Sequence, residues 1–498
     1  MTSFSKGLTK CFNVIRGASA IPGSLPYYSP LSSDDALRID QAARRILERV
    51  GVAIWDTDTL EILRAAGARV DFGSQRVCFD VEMLDQTIGC APHEFKLYSR
   101  DGRNDVYLGT GRVQFANGGR VFRMQNSDGA DSRYTLLRDV AHTAALVDSL
   151  SYIDFYIIAC QAHDVEPRFY HLNDFFQAFS HTTKHVMGGC DDVEGVQQVW
   201  GLASLIAGSS DKLRDRPIFS IITNPMSPLT IDGRSLDVLR FCCQHGIPVT
   251  CAPAPVAGAT APAALAGTLA QMHAEALAGV AIGQVFSPGA RMLYGAVPNA
   301  MDLRHMELAL GSPEMAMMNA AAVQLARLYR LPIYASAGVS ESKTCDVQAG
   351  IEKTLSQLLV AMAGADCVHL AAGMLDSGNA VSYEQYVIDN EIIGAVTRVL
   401  RGIAVSDKTL AMPVIEKVGP GGHFVLEDHT IQHMMDEFFY PDLAIRMNFD
   451  IWEKENRPSM LSRAKAVANR ELEVSKKTVM EPALLQQIRE CFPGIRDD

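Results

Sequence analysis

Histidines 429 and 433 stand four residues apart, with Glu437 one turn further on and His423 just upstream. On a helix these three potential metal ligands share one face. A zinc protease would also need a glutamate directly after the first histidine, where this chain has Thr430. The face is therefore open to two readings, a metal-ligating surface or a capped helix turned to solvent or an interface. Gly419-Pro420-Gly421-Gly422 could cradle an anion on backbone N–H groups, but Pro420 has none and no Lys-Ser pair follows, so a tight turn is the competing reading. No G-x-x-x-x-G-K-[ST], no strand-to-helix G-x-G-x-x-G and no G-x-S-x-G occurs, and Ser336, Ser340 and Ser342 have no histidine nearby in sequence. Nucleotide-dependent chemistry and serine hydrolysis are not expected.

The elements that would position a site are more regular than the motifs. From Tyr152 onward, apolar runs of four to eight residues alternate with longer helical patterns, starting near Tyr152, Lys184, Pro217, Pro248, Arg291, Pro332 and Asp366. Seven such units in a row predict an α/β fold, a TIM (β/α)8 barrel with a small N-terminal α+β layer and C-terminal helical additions. The expected organisation is an extended arm over 1–30, the α+β region over 31–150, the barrel over 151–428 and helices over 429–498. The eighth strand is expected within Ile403 to Val425. In a barrel the site is built at the C-terminal strand ends. Reading along the strands selects Tyr156, Asn224, Tyr294, Tyr334, Ser336, Gly338 and His369, with His423 and Phe424 as a lid. Each could equally be barrel packing. Collectively they are aromatic, amide and small groups with few paired carboxylates or lysines, which suits an apolar pocket for a quaternary ammonium. There each cation–π contact contributes roughly 0.5–2 kcal/mol.

Composition removes several classes. The 498 residues carry 57 acids against 45 bases, a net charge of −12 with no basic block, so no nucleic-acid partner is expected. Eleven cysteines without a C-x-x-C fit a reducing compartment. The longest apolar stretch, Ala261 to Phe286, contains Gln271, His273, Glu275 and Gln284, too polar for a bilayer. Lys10 to Pro22 is interrupted by Asn13 and Arg16, so no secretory core is expected. The expectation is a cytoplasmic protein with no membrane partner.

Several short motifs occur in one order: Gly283 to Ala290 (GQVFSPGA), Tyr294-Gly295, Met301 to Arg304 (MDLR), Gly311 to Glu314 (GSPE), Gln324 to Arg327 (QLAR), Ser342-Lys343, Asp346 to Lys353 (DVQAGIEK), Ala371 to Gly378 (AAGMLDSG), and Gly419 to His423 with His429-Thr430. Over about residues 30 to 470 this set resembles the trimethylamine:corrinoid methyltransferase superfamily. The resemblance implies a TIM-barrel methyltransferase that moves a methyl group from a methylated amine to the Co(I) of a separate corrinoid protein. The chain itself would bind no cofactor, cobalamin being carried by the partner, and no metal. The trimethylamine enzymes of the superfamily carry pyrrolysine, which this sequence lacks; the Ser336 to Glu341 loop is the expected equivalent region. The chain thus resembles the non-pyrrolysine subset, which demethylates quaternary amines such as glycine betaine, in one-carbon metabolism. Expected partners are a cognate corrinoid protein, a small quaternary amine and a second copy of the chain in a homo-oligomer. A metal-dependent TIM-barrel lyase or hydrolase and a non-catalytic methylated-amine binding protein are the alternatives.

Overall fold

The computed structural model describes residues 27–126, 131–474 and 478–496. Most of the expected N-terminal arm lies outside the described residues. At its end, the Tyr27 amide donates to Met362 O at 2.8 Å.

Eight strands run parallel in one sheet: β1 Gln114–Phe115, β2 Tyr156–Ile157, β3 Val186–Gly188, β4 Phe219–Thr223, β5 Val249–Cys251, β6 Met292–Ala296, β7 Ile333–Ser336 and β8 Cys367–His369. Their hydrogen-bonded order is β1-β8-β7-β6-β5-β4-β3-β2, so neighbours in sequence are neighbours in space. A helix follows each strand: α1 Leu137–Ser149, α2 Tyr170–His181, α3 Val193–Ala207, α4 Gly233–His245, α5 Leu265–Phe286, α6 Pro313–Leu328, α7 Val347–Ala363 and α8 Tyr383–Leu400. Four of them start where the sequence supplies a capping side chain. Asp192, Asp232, Ser312 and Asp346 accept from the backbone N–H of Gly195, Ser235, Met315 and Ala349, meeting donors that the first turn leaves unpaired.

The outer strands β1 and β2 approach each other through a parallel bridge between Ala116 and Phe155. Asn117 extends it with its side chain, donating from Nδ2 to Ile157 O at 2.7 Å while Oδ1 accepts from Ile157 N at 2.8 Å. The amide thus copies one step of a backbone ladder.

The strand expected within Ile403 to Val425 is not there. That stretch holds two short helices, Asp407–Leu410 and Met412–Val418, and the remaining strand of the sheet is β1, upstream of the region read as a barrel. β1 falls in the stretch read as the α+β layer rather than as barrel, because a Gly-Gly turn and the hairpin Arg123–Gln125/Ser132–Tyr134 separate it from α1, so no run-then-helix pattern marks it as a barrel strand.

The long apolar stretch is α5, 22 residues buried nearly all round between the sheet and the N-terminal layer. A helix covered on every side has no polar face to display. Its buried His273 reaches that layer, with Nε2 3.1 Å from Asp40 Oδ1 on helix Ser33–Arg45. The hairpin Phe95–Leu97/Val106–Leu108 plugs the N-terminal end of the strands. It packs against Ile157, Met187, Leu293 and Cys367, and Gly109 N donates to Asp366 Oδ1 at 2.7 Å just ahead of β8. Four further helices, Asp428–Glu437, Phe449–Lys454, Met460–Val474 and Pro482–Cys491, form the C-terminal part. Among the described residues no helix is long and apolar enough to cross a membrane.

Candidate active site

With the opposite end plugged, chemistry belongs at the C-terminal strand ends. There β7 and β8 pair in register with Ser336 opposite His369 and Tyr334 opposite Cys367. Tyr334 and Cys367 belong to the apolar cluster inside the sheet. Side chains alternate along a strand, so Ser336 and His369 share that inner face. The Tyr334 and His369 rings stack at 3.8 Å between centroids with planes 14° apart. Ser336 Oγ lies 2.6 Å from His369 Nε2 and 3.1 Å from Ala296 O. A carbonyl can only accept. The serine proton therefore goes to Ala296, and His369 donates from Nε2–H, which leaves Nδ1 as an acceptor. Burial pulls the His369 imidazole down to about 3, so the ring is neutral at physiological pH. This wall is rigid, aromatic and uncharged.

The loops beyond it are held by an ion pair. Lys353 of α7 and Asp389 of α8 are fully buried, with Nζ 3.0 Å from Oδ2. Lys353 also donates to Gly338 O at 2.6 Å, while Asp389 accepts from Gly373 N at 2.8 Å and from Gln385 Nε2 at 2.8 Å. Gly338 (φ +91°) and Gly373 (φ +89°) leave no room for a Cβ, which would meet Ala371 Cα at 2.7 Å and the Tyr386 ring at 2.3 Å. The loops after β7 and β8 are thus closed against α7 and α8, with the pair between them.

Charges at the rim are similarly engaged. Arg120, after β1, lies 3.6 Å from both Asp174 and Asp191. Burial pushes the Asp174 carboxyl up to about 7, and its Oδ1 has no protein partner. Glu341 Oε1 accepts from Gly311 N at 2.7 Å, and burial together with the nearby Glu352 raises its carboxyl.

The site residues expected from the sequence divide sharply. Tyr334, Ser336 and His369 come together. Asn224 is exposed just past β4. Tyr156 and Tyr294 do not line the inside: the Tyr156 hydroxyl meets Thr143 Oγ1 of α1 at 2.9 Å, and the Tyr294 hydroxyl meets His273 Nδ1 of α5 at 2.8 Å. Both point into the helical layer, so the three-tyrosine cage reduces to Tyr334. Gly338 follows the end of β7, where its positive φ breaks the alternation and turns it toward α7. His423 and Phe424 are exposed on the segment after α8, whose C-terminal end lies beside that of α7, where the strands begin; Tyr27 touches both Met362 O and Leu400 O. The His429 and His433 rings lie 4.3 Å apart with their planes tilted by 37°, but no group of three metal-ligating side chains converges among the described residues. Asn117, Arg120 and the Lys353–Asp389 pair were not singled out. Lys353 lies inside a motif, but nothing in sequence marks its partner 36 residues away. Cavities of about 390 and 370 Å3 lie elsewhere, one beside Arg100 and Arg216 near the start of β4, the other between α1, α8 and Phe439 to Leu443. Neither coincides with the Tyr334–Ser336–His369 group.

The fold is thus an eight-stranded parallel α/β sheet with an uncharged aromatic group at its C-terminal edge, the edge at which proteins of this architecture build their sites. The profile of the family described as "Trimethylamine methyltransferase (MTTB)" matches residues 10–492, and the chain belongs to that family. It is 36% identical to "Trimethylamine methyltransferase MttB" of Desulfitobacterium hafniense (strain DSM 10664 / DCB-2), over 81% of each chain. To "Glycine betaine methyltransferase" of Desulfitobacterium hafniense (strain Y51) it is 32% identical, over 86% of this chain and 90% of the other. Among solved structures, the Methanosarcina barkeri monomethylamine methyltransferase aligns with TM-score 0.49 and 13% identity, over 95% of this chain and 93% of that one. The protein is a methyltransferase enzyme, and its relatives support methyl transfer from methylated amines.

Proposed function

We propose that the chain transfers a methyl group from a quaternary amine, glycine betaine or a related betaine, to the Co(I) of a separate corrinoid protein. The observation that carries this reading is the neutral wall of Tyr334, Ser336 and His369. A buried imidazole held near 3 does not repel a cation, and an aromatic, water-poor surface removes hydration from a trimethylammonium group. Co(I) gives its electron pair to the methyl carbon, and the C–N pair leaves on nitrogen as a neutral tertiary amine. That leaving group needs no proton. The absence of pyrrolysine supports a quaternary rather than tertiary donor. The protein's own tasks are orientation and exclusion of water.

In this reading the sheet closes as a (β/α)8 barrel; the Ala116–Phe155 bridge and the Asn117 amide support closure. The chain works in the cytoplasm as a homo-oligomer. Ile403, Val405, Leu426, Ile431, Phe438 and Phe449 are exposed along the segment after α8, at the end away from the candidate site. A stable interface needs about 800 Å2 per partner, and side chains of this size over one segment supply much of it. A second copy can cover them without blocking substrate.

The test is to incubate the protein with cob(I)alamin and glycine betaine. Methyl-Co(III) and dimethylglycine are expected, with no turnover of trimethylamine. Ligand-induced thermal stabilisation without methyl transfer across a panel of betaines would overturn the reading and leave a binding protein.

A further inference from the structure

The connection from β6 to α6 is a hairpin, Asn299–Asp302 against Glu307–Ala309, extended by a parallel pairing of Val256–Ala257 from the β5 connection. Both connections leave the C-terminal ends of their strands, so this small sheet stands on the face that carries the candidate site. Its tip is built with unusual care. Asp302 Oδ1 accepts from Arg304 N and Nε at 2.9 and 3.0 Å, and Oδ2 from Arg304 Nη2 and His305 Nδ1, both at 2.9 Å. Its carbonyl accepts from His305 N and Met306 N at 3.2 and 2.7 Å. Met306 is held in the left-handed region at φ +58° without being glycine, a conformation that persists only where its surroundings impose it. The product of this bracing is that Leu303 and Met306 stand 57% and 67% exposed.

A turn fixed by one carboxylate so as to display two apolar side chains is preorganised for contact. The Arg304 and His305 side chains, though exposed, are bonded back to Asp302, and Leu303 and Met306 are the apolar groups the tip presents beside them. The occupant follows from the chemistry, and this step rests on the proposed function: a methyl acceptor must enter at the C-terminal strand ends, and whatever carries it must cover the connections there. We infer that the Leu303–Met306 tip is a docking element for the corrinoid protein, recognised through apolar contact.

The experiment compares two acceptors. L303E/M306E and the unaltered chain are assayed with free cob(I)alamin and with a purified corrinoid protein that accepts methyl groups from the unaltered chain. The KM for the corrinoid protein is expected to rise at least tenfold, while the rate with free cob(I)alamin stays within twofold. D302N, which loosens the tip while keeping Leu303 and Met306, should raise the same KM by a smaller factor. An unchanged KM, an equal loss with both acceptors, or a shift in oligomeric mass assigning the tip to a second copy would each overturn the docking assignment. Transfer by the unaltered chain to free cob(I)alamin but to no corrinoid protein would overturn it too, leaving methyl transfer intact. No transfer to either acceptor would remove the functional reading and the docking element together.

Discussion

Replacing Lys353 by methionine separates the work of the buried ion pair from that of the apolar core around it. Methionine keeps most of the volume, but Asp389 then stays fully buried with its countercharge gone, and Gly338 O loses its donor. Breaking a buried pair by removing one partner costs about 3–5 kcal/mol, because a carboxylate is stranded in low dielectric. Burial already pushes the Asp389 carboxyl upward, and the Lys353 ammonium opposes that push. Without Lys353 the folded-state value rises further above the unfolded value of about 3.9. Stability linked to a raised carboxyl is fully present below the unfolded value and is lost as pH rises through the folded one. The urea midpoint of K353M, relative to the unaltered chain, should therefore fall further at pH 8 than at pH 5. The double variant K353M/D389L removes both charges and should recover much of the stability. Methyl transfer should stay impaired in both, because the loops at Gly338 and Gly373 lose their tie. A K353M loss below about 1 kcal/mol at pH 8, or a double variant no better than K353M, would refute this account.

Tyr294→Phe removes the hydroxyl's bond to His273 and its weaker contact with Met272 Sδ, and should lower stability by about 0.5–1.5 kcal/mol with kcat and KM unchanged, which steady-state demethylation kinetics would check. Ser336→Ala strands the His369 Nε2–H and should lower kcat about tenfold or more, a transition-state penalty of at least about 1.4 kcal/mol. Because His369 titrates near 3, its contribution to the rate should be flat from pH 5 to 8, and an acid limb near 6.5 that vanishes in His369→Gln would contradict the buried neutral ring. Asp174, raised to about 7, favours the folded state below the unfolded carboxylate range and loses that advantage as pH rises through 7; D174N should gain thermal stability over the unaltered chain at pH 8 relative to pH 5. Ile431→Glu with Phe438→Glu should lower the oligomeric mass by light scattering without altering transfer to free cob(I)alamin.

How much of this was legible depends on what each residue leaves in the pattern. Seven of the eight strands announce themselves as apolar runs with helices behind them. β1 reads instead as part of the α+β layer, since a hairpin rather than a helix follows it and an asparagine side chain does part of its pairing. The inward or outward direction of strand residues was hidden for a related reason. In β6, Met-Leu-Tyr-Gly-Ala is apolar throughout because one face meets α5 and the other the sheet interior, so no alternation reveals where Tyr294 points. Its hydroxyl needed a partner and found His273, which the sequence shows only as a polar interruption in a long apolar helix. Tyr334 and His369 were selected by the strand-end rule for this architecture, and the structure stacks their rings there. The ion pair behind their loops was not, because α7 and α8 meet only in the fold.

The position of that ion pair bears on the chemistry. Charge at the C-terminal edge is not scarce: Arg120, Asp174, Glu341, Lys353 and Asp389 all lie close by. Each is turned toward another protein group, and the surface left at the ends of β7 and β8 is an aromatic stack, a hydroxyl bonded to a carbonyl, and an imidazole that stays unprotonated. A pocket meant to deliver a proton would hold a group free at a pKa near the working pH, and Asp174, raised to about 7 with Oδ1 unpartnered, is the one of the five that the structure leaves in that condition. A pocket meant to hold a cation whose charge disperses as its methyl group leaves does better with every formal charge committed elsewhere, because an uncompensated positive group would expel the substrate and a negative one would stabilise it more than the transition state. The buried pair is thus most informative as scaffolding: it fixes the two loops with charges that face each other.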